Sequence, residues 1–283
     1  MLTVANTAAV PLDVARTGLL KKTNAHWSTT AVSATIAGAA IGLAFVFYLI
    51  TQMGAGELPF GVARLIGGLV FSGGLFVVIV TGADLFTSTS MTPMLLLDRS
   101  LTVARLLRHW AAVYLFNMAG AGLLVALIFF SGMARMNGGE WGAIVLSTAA
   151  TKVAHPWSEA FFLGVMCNVL VCLGVWVAYH GRSVVDTFVS VLFPIALFVA
   201  AGFEHSVANM FIIPMALALK AQADPTIMQA LSGTDLADLT WGSYLTANLV
   251  PVSLGNIVGA VLVAVGFWAW HRRAKPEAPA ATL

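Results

Sequence analysis

Gly202, Glu204, His205, Ser206 and Asn209 crowd into thirteen residues, Phe198 to Met210, reading FVAAGFEHSVANM. The sequence on either side is apolar enough to cross a bilayer, so these groups sit where hydrocarbon would reject them. An ionisable residue at membrane depth marks a functional site by default. His205 is the centre of that expectation. A neutral imidazole can donate one hydrogen bond to a passing solute; a protonated one can hold an anion by charge or give up a proton. A fixed carboxylate in the same path would repel an anion. Glu204 is therefore expected to point away, capping backbone N–H groups at the break or orienting His205, near a half-helix start whose positive dipole end favours it. An intramembrane enzyme built on Glu204, His205 and Ser206 is disfavoured. Adjacent residues do not line up as nucleophile, base and orienter, and neither Gly-x-Ser-x-Gly nor His-Glu-x-x-His occurs. A purely structural scaffold would not retain charge at the midplane.

The chain that must position these groups has 283 residues, of which 59% are apolar and 9% charged. A soluble domain carries about 25% charged residues, so this is an integral membrane protein. Its long continuous apolar runs make it all-α, and the ten-residue alternation of a membrane barrel is absent. Residues 1–26 lack the uninterrupted apolar core of a signal peptide. Basic residues lie in short loops, which argues against nucleic acid as a partner. Cys167 and Cys172 fall in one apolar span and read as buried small hydrophobes. No metal or cofactor site is expected.

Six spans are predicted. Residues 8–25 read as a short interfacial helix on the membrane surface, with Leu12, Ala15 and Leu19 on one face and Arg16, Lys21 and Lys22 near one end. The first span runs from about Thr30 to Ile50 and carries Gly38-x-x-x-Gly42, which lets another helix approach closely. Residues 60–97 are nearly uncharged and would measure about 57 Å as one helix, against roughly 30 Å of hydrocarbon. Within them lies GADLFTSTSMTP, residues 82–93, which predicts a helix to about Thr81, a break, and a short second piece near 90–98. Irregular backbone at this depth is tolerated only when buried in protein or lining a cavity. A third span at about 106–131 leads to a Gly-rich loop, 132–156, with a surface segment around Trp141. The fourth span is about 157–179. Residues 184–219 are again too long and are broken at GFEHS, and a polar loop leads to a sixth span at about 243–270.

The two broken segments share a pattern. Gly82-Ala83-Asp84 and Gly202-Phe203-Glu204 each place an acid two residues after a glycine, and each following span carries Asn-x-x-Gly-Ala, at Asn117 and at Asn256. Two three-span repeats, about 27–132 and 157–271, with the second and fifth helices broken, must be inverted because each half holds an odd number of spans. In transporters so built the site lies at the midplane, where the broken helices meet. Ten Lys and Arg fall on the side of both termini and four on the other, so both termini are assigned to the cytoplasm. Residues 1–26 then form a cytoplasmic or interfacial segment, 27–271 the channel domain, and 272–283 a Pro/Ala cytoplasmic tail read as disordered.

With these residues in view the chain resembles the formate/nitrite transporter family, most of all its formate channels. The likeness runs over roughly residues 10–272. It is clearest at AFVFYLI (44–50), LPFGVARLIGGLVFSGGL (58–75), TGADLFTSTSM (81–91), GRSVVD (181–186) and FVAAGFEHSVANMFIIPM (198–215). The resemblance implies an aquaporin-like fold in the bacterial cytoplasmic membrane, assembled as a homopentamer in lipid with a pore in each protomer. It implies that a small monovalent anion crosses, formate foremost and nitrite or hydrosulfide as the alternative, past a central His205. By the same resemblance Phe71, Leu75 and Phe198 are the narrow apolar rings, Thr87 is the hydroxyl facing the histidine, Lys152 is a basic group near the outer mouth, and Asn168 and Asn256 are pore-lining amides. Gly82, Asp84, Gly202 and Glu204 are assigned to the structure of the two breaks. No Asn-Pro-Ala motif occurs, which disfavours a water channel.

Overall fold

The long apolar runs leave the backbone no partner but itself, and every regular element among the described residues is helical. The computed structural model describes residues 9–273, so the first eight residues of the expected 1–26 segment and nearly all of the Pro/Ala tail lie outside the described residues. In chain order the main helices are α1 (Ala9–Thr23), α2 (Trp27–Gln52), α3 (Phe60–Thr81), α4 (Val103–Phe130), α5 (Glu140–Ala154), α6 (Trp157–Ala178), α7 (Val184–Ala200), α8 (Ser206–Gln222) and α9 (Val250–Arg273). Among the described residues, α2, α3, α4, α6 and the helical run ending in α9 are long and apolar enough to cross a membrane. The protein is therefore multi-pass. Helices α7 and α8 are each shorter, at 17 residues.

Both expected breaks are present. α3 ends at Gly82 with φ +71°, and single helical turns follow at Phe86–Thr89 and Met94–Leu97. α7 ends just before Gly202 with φ +75°, and α8 restarts at Ser206. At both glycines the chain takes a left-handed turn that a side chain would resist. The interruption is compulsory at this length, because an unbroken helix would overshoot the hydrocarbon.

Two close helix pairs hold the bundle. α2 packs on α4 and α6 on α9, while α3 lies against α7. In the first pair a Cβ on Gly120 would sit 2.0 Å from the Thr35 carbonyl oxygen, and one on Gly38 2.1 Å from that of Asn117. In the second, a Cβ on Gly255 would sit 2.1 Å from the Phe161 carbonyl and one on Gly259 2.4 Å from that of Val165. Lipid gives helices no hydrophobic drive to associate, so backbones that approach this closely supply the dispersion contacts instead.

Two expectations are corrected. Residues 140–154 are a helix, α5, where a Gly-rich loop and a surface segment were expected. Trp141, Val145, Leu146, Ala149 and Val153 form one buried stripe, and that 3.6-residue period outweighs the preceding Gly138-Gly139, which only starts the helix. Second, α1 is not a helix resting on lipid. Its Ala15 and Leu19 are fully buried, and it packs under the bundle against α4, α6 and α9. Arg16 pairs with Asp98 at 2.7 Å, which Arg272 also holds at 2.5 Å, tying α1 to the end of α9.

Candidate functional site: a histidine between two broken helices

Each break is closed by an asparagine from the span that follows it. At the first, Asn117 Oδ1 accepts the Phe86 N–H (2.8 Å), while its Nδ2 donates to the carbonyls of Asp84 (2.9 Å) and Ala34 (2.7 Å). At the second, Asn256 Oδ1 accepts the Ser206 N–H (2.9 Å), while its Nδ2 donates to the carbonyls of Glu204 (2.9 Å) and Gly164 (2.8 Å). A break strips several backbone groups of partners in a medium without water, and one buried amide satisfies three of them.

The acids do something other than cap. Asp84 accepts from Ser33 Oγ (2.7 Å) and pairs with Lys22 Nζ at 3.2 Å. Glu204 accepts from Lys152 Nζ (2.6 Å), Asn209 Nδ2 (2.7 Å) and Asn248 Nδ2 (3.1 Å). Neither carboxylate takes a backbone N–H, because Asn117 and Asn256 already hold those next to the breaks. Each acid instead anchors a lysine arriving from a shorter helix, α1 or α5. Sequence reasoning missed Ser33 and Asn248, and it gave Lys22, Asn117 and Asn209 no partner: Lys22 read as a basic helix end, Asn117 as part of a repeated motif and Asn209 as a polar group near the break. A signal was available: Lys22 precedes Trp27-Ser28 by the same five residues that separate Lys152 from Trp157-Ser158.

His205 is the N-cap of α8, its Nδ1 accepting the Ala208 N–H at 3.1 Å. With Nδ1 engaged as an acceptor, the proton of the neutral ring is on Nε2. That atom lies 3.1 Å from Thr87 Oγ1 on the turn after the other break, so the ring donates to the hydroxyl. The two breaks therefore meet at a single hydrogen bond. Phe198 lies nearly parallel to the imidazole at 5.9 Å, and Phe71 meets Phe198 edge-on at 5.7 Å. All four residues are buried.

A cavity of about 730 Å³ ends against this layer. Phe71, Phe198, Gly202, Glu204 and His205 are in its lining, as are Lys152, Arg64 and Gln52. A second hollow, about 510 Å³, is lined by Ser28, Thr29, Val32, Ser33, Ile36, Thr81 and Ala83, so Ser33 faces both it and Asp84. Leu75 is buried one helical turn beyond Phe71 and outside both linings. Asn168 and Asn256 are fully buried and also outside them. Asn168 Nδ2 donates to the carbonyls of Asn256 (2.6 Å) and Thr87 (3.1 Å), and its Oδ1 has no partner among the described residues.

Comparison with known proteins identifies relatives along most of the chain. The chain is 42% identical over 262 residues to the formate channel FocA of Haemophilus influenzae, covering 92% of each. It is 41% identical over 269 residues to the formate channel FocA of Escherichia coli strain K12, covering 94% of each. Among solved structures it resembles a pentameric formate channel with formate bound, at TM-score 0.79 and 38% identity, over 88% of this chain and 98% of that one. It also resembles an FNT family ion channel at TM-score 0.73 and 26% identity, over 94% and 98%. The formate/nitrite transporter model matches residues 11–270, and the chain belongs to that family.

Proposed function

We propose that the protein carries formate across a bacterial cytoplasmic membrane through a pore in each protomer of a homopentamer, with His205 polarising the anion between apolar constrictions. The observation that carries the reading is the His205 Nε2 contact to Thr87, at the layer where the large cavity ends among Phe71 and Phe198. A narrow apolar ring dewets and stops hydrated ions. A carboxylate that sheds water there needs a donor, and Nε2–H swings from Thr87 Oγ1 to supply one. The geometry favours polarising over protonating. A neutral imidazole has one ring proton, and giving it up leaves an anion. A proton-donating ring needs N–H at Nδ1 as well, where the Ala208 N–H already points. The same engagement of Nδ1, with Ser206 Oγ lacking any partner among the described residues, supports a channel over an enzyme.

In this reading six spans form two inverted repeats, and the matched bonds at the two breaks support it: Asn117 with Asn256, Asp84 with Glu204, Lys22 with Lys152. The correspondence extends each repeat to include α1 and α5. Tyr114 and Ser253, at matching positions in the two halves, share a hydrogen bond of 2.8 Å, as residues beside a two-fold axis would. Both termini are cytoplasmic, the larger cavity opens outward, and the hollow at Ser33 opens inward. Nitrite or hydrosulfide is the alternative cargo.

The test is flux into proteoliposomes of formate, nitrite, acetate and chloride, for wild type and His205→Asn. Wild type should carry formate ahead of acetate and chloride, and the variant, with no ring N–H aimed at Thr87 Oγ1, should carry formate several-fold more slowly. Equal formate flux in the two proteins would remove His205 from the mechanism.

A further inference from the structure

The two acid–lysine pairs differ in one partner. At the outer pair Asn248, eight residues before Asn256, donates to Glu204 Oε2 and to the Lys152 carbonyl. Eight residues before Asn117 stands His109, on the same face of α4 two helical turns away. It holds at the inner pair the station that Asn248 holds at the outer one. His109 is only 7% exposed, and its Nε2 has no hydrogen-bond partner among the described residues. Asp84 Oδ1, apart from its ion pair with Lys22, has none either.

Few other charges surround the ring. α2 carries no Asp, Glu, Lys, Arg or His along its length. α8 carries only Lys220, which donates to the carbonyls of Leu236 and Leu239 at the far end of the bundle. From α1 comes Lys22 and from the break Asp84, and these are the charges that act on His109. On its own helix Arg105 is turned to Asn24 Oδ1 at 2.9 Å.

We propose that His109 is a proton-responsive residue of the inner mouth, binding a proton when the cytoplasm acidifies and thereby raising the affinity of that mouth for a small carboxylate. With the ring neutral, Lys22 and Asp84 balance. With the ring protonated, the inner station carries one net positive charge, and an anion in the hollow beside Ser33 is drawn to it. The outer station has no such response, because an amide does not titrate. The device makes the pore asymmetric: acid on the inner side favours occupancy from within and so export. This rests on the transport reading and on the inner assignment of α1.

The experiment is formate efflux from proteoliposomes of fixed orientation, with external pH held and internal pH stepped from 7.5 to 5.5. Wild type should show a several-fold fall in the apparent KM for internal formate. His109→Asn, which copies the outer station, should carry formate with a KM independent of internal pH. His109→Arg should hold the low KM throughout. An internal-pH response in His109→Asn equal to wild type overturns the proposal, as does a wild-type KM indifferent to internal pH. A second readout is independent of transport: histidine-labelled protein followed by NMR, with His109→Asn identifying the resonance. A ring that fails to titrate between pH 5 and 8 overturns the proposal. Titration in a protein that carries no formate would uphold the proton binding and sink the transport reading alone.

Discussion

Lys152→Met should be among the most destabilising single changes at this site, and more so than Glu204→Gln. Glu204 is 1% exposed and receives three side-chain donors, of which Lys152 supplies the only cation. Removing the lysine leaves a buried carboxylate held by two amides. Breaking a buried pair in this way costs about 3–5 kcal/mol. The reverse change is milder. The Lys152 side chain is 14% exposed and lines the cavity, so its ammonium reaches water when the carboxylate is gone, and a glutamine still accepts from it. About 1–2 kcal/mol is expected there, near the cost of one charge-assisted hydrogen bond. Lys152→Met/Glu204→Gln removes both charges and should recover about 1–2 kcal/mol of the Lys152→Met loss, giving a coupling of about 3 kcal/mol in a double-mutant cycle. In thermal unfolding of the detergent-solubilised protein, with about 2–4 °C per kcal/mol for a chain of this size, Lys152→Met should melt roughly 6–20 °C below wild type, with the double variant between them. Equal losses in the two single variants, or a double variant at the sum of both, would refute the claim that this buried pair is mutually compensated.

The asparagine caps give a second prediction: Asn256→Ala leaves Ser206 N–H and two carbonyls unsatisfied and should cost about 3 kcal/mol at about 1 kcal/mol per bond, read as a lower melting temperature, with Asn117→Ala losing a similar amount. Gly120→Ala should destabilise by about 1–3 kcal/mol, because its methyl would lie 2.0 Å from the Thr35 carbonyl, whereas Gly122→Ala, with open space around it, should be near wild type in the same melt. Outside the membrane, the Arg135 guanidinium 2.9 Å from Asp224, with the Thr226 N–H, holds that carboxyl below its usual range. Its stabilising effect is therefore full above the ordinary aspartate pKa of about 4 and is lost as pH falls through the lower folded value. Asp224→Asn should melt below wild type at pH 7, and the difference should close in acid.

Much of the site was legible in one dimension because the cost of polar groups in hydrocarbon is so steep. A run of 38 residues cannot be one span, and a Gly followed two residues later by an acid says where each break falls; both breaks appear at those glycines. The same logic marked His205, Thr87 was singled out by the family resemblance, and the structure brings their side chains together across 118 residues of sequence. The short helices were harder to read. α5 looked like a loop because Gly138-Gly139 masked the apolar stripe after it, and α1 looked like a surface helix because its basic end suggested lipid headgroups. Lys22 and Lys152 are ordinary loop-end cations in sequence, and nothing local says that each is drawn in to a buried acid.

Sequence alone determined that this chain lives in a membrane, that it is helical, and where its helices must break, because length, hydropathy and charge are properties of single segments. Only the tertiary structure decided which group satisfies which. Asn117 and Asn256 cap the breaks, the acids hold lysines, and the histidine proton is on Nε2, because each of these follows from which atom lies within hydrogen-bond distance once distant helices pack. The partnerships are long-range by physical necessity: a broken helix cannot complete its own backbone bonds, so the groups that do it come from another span.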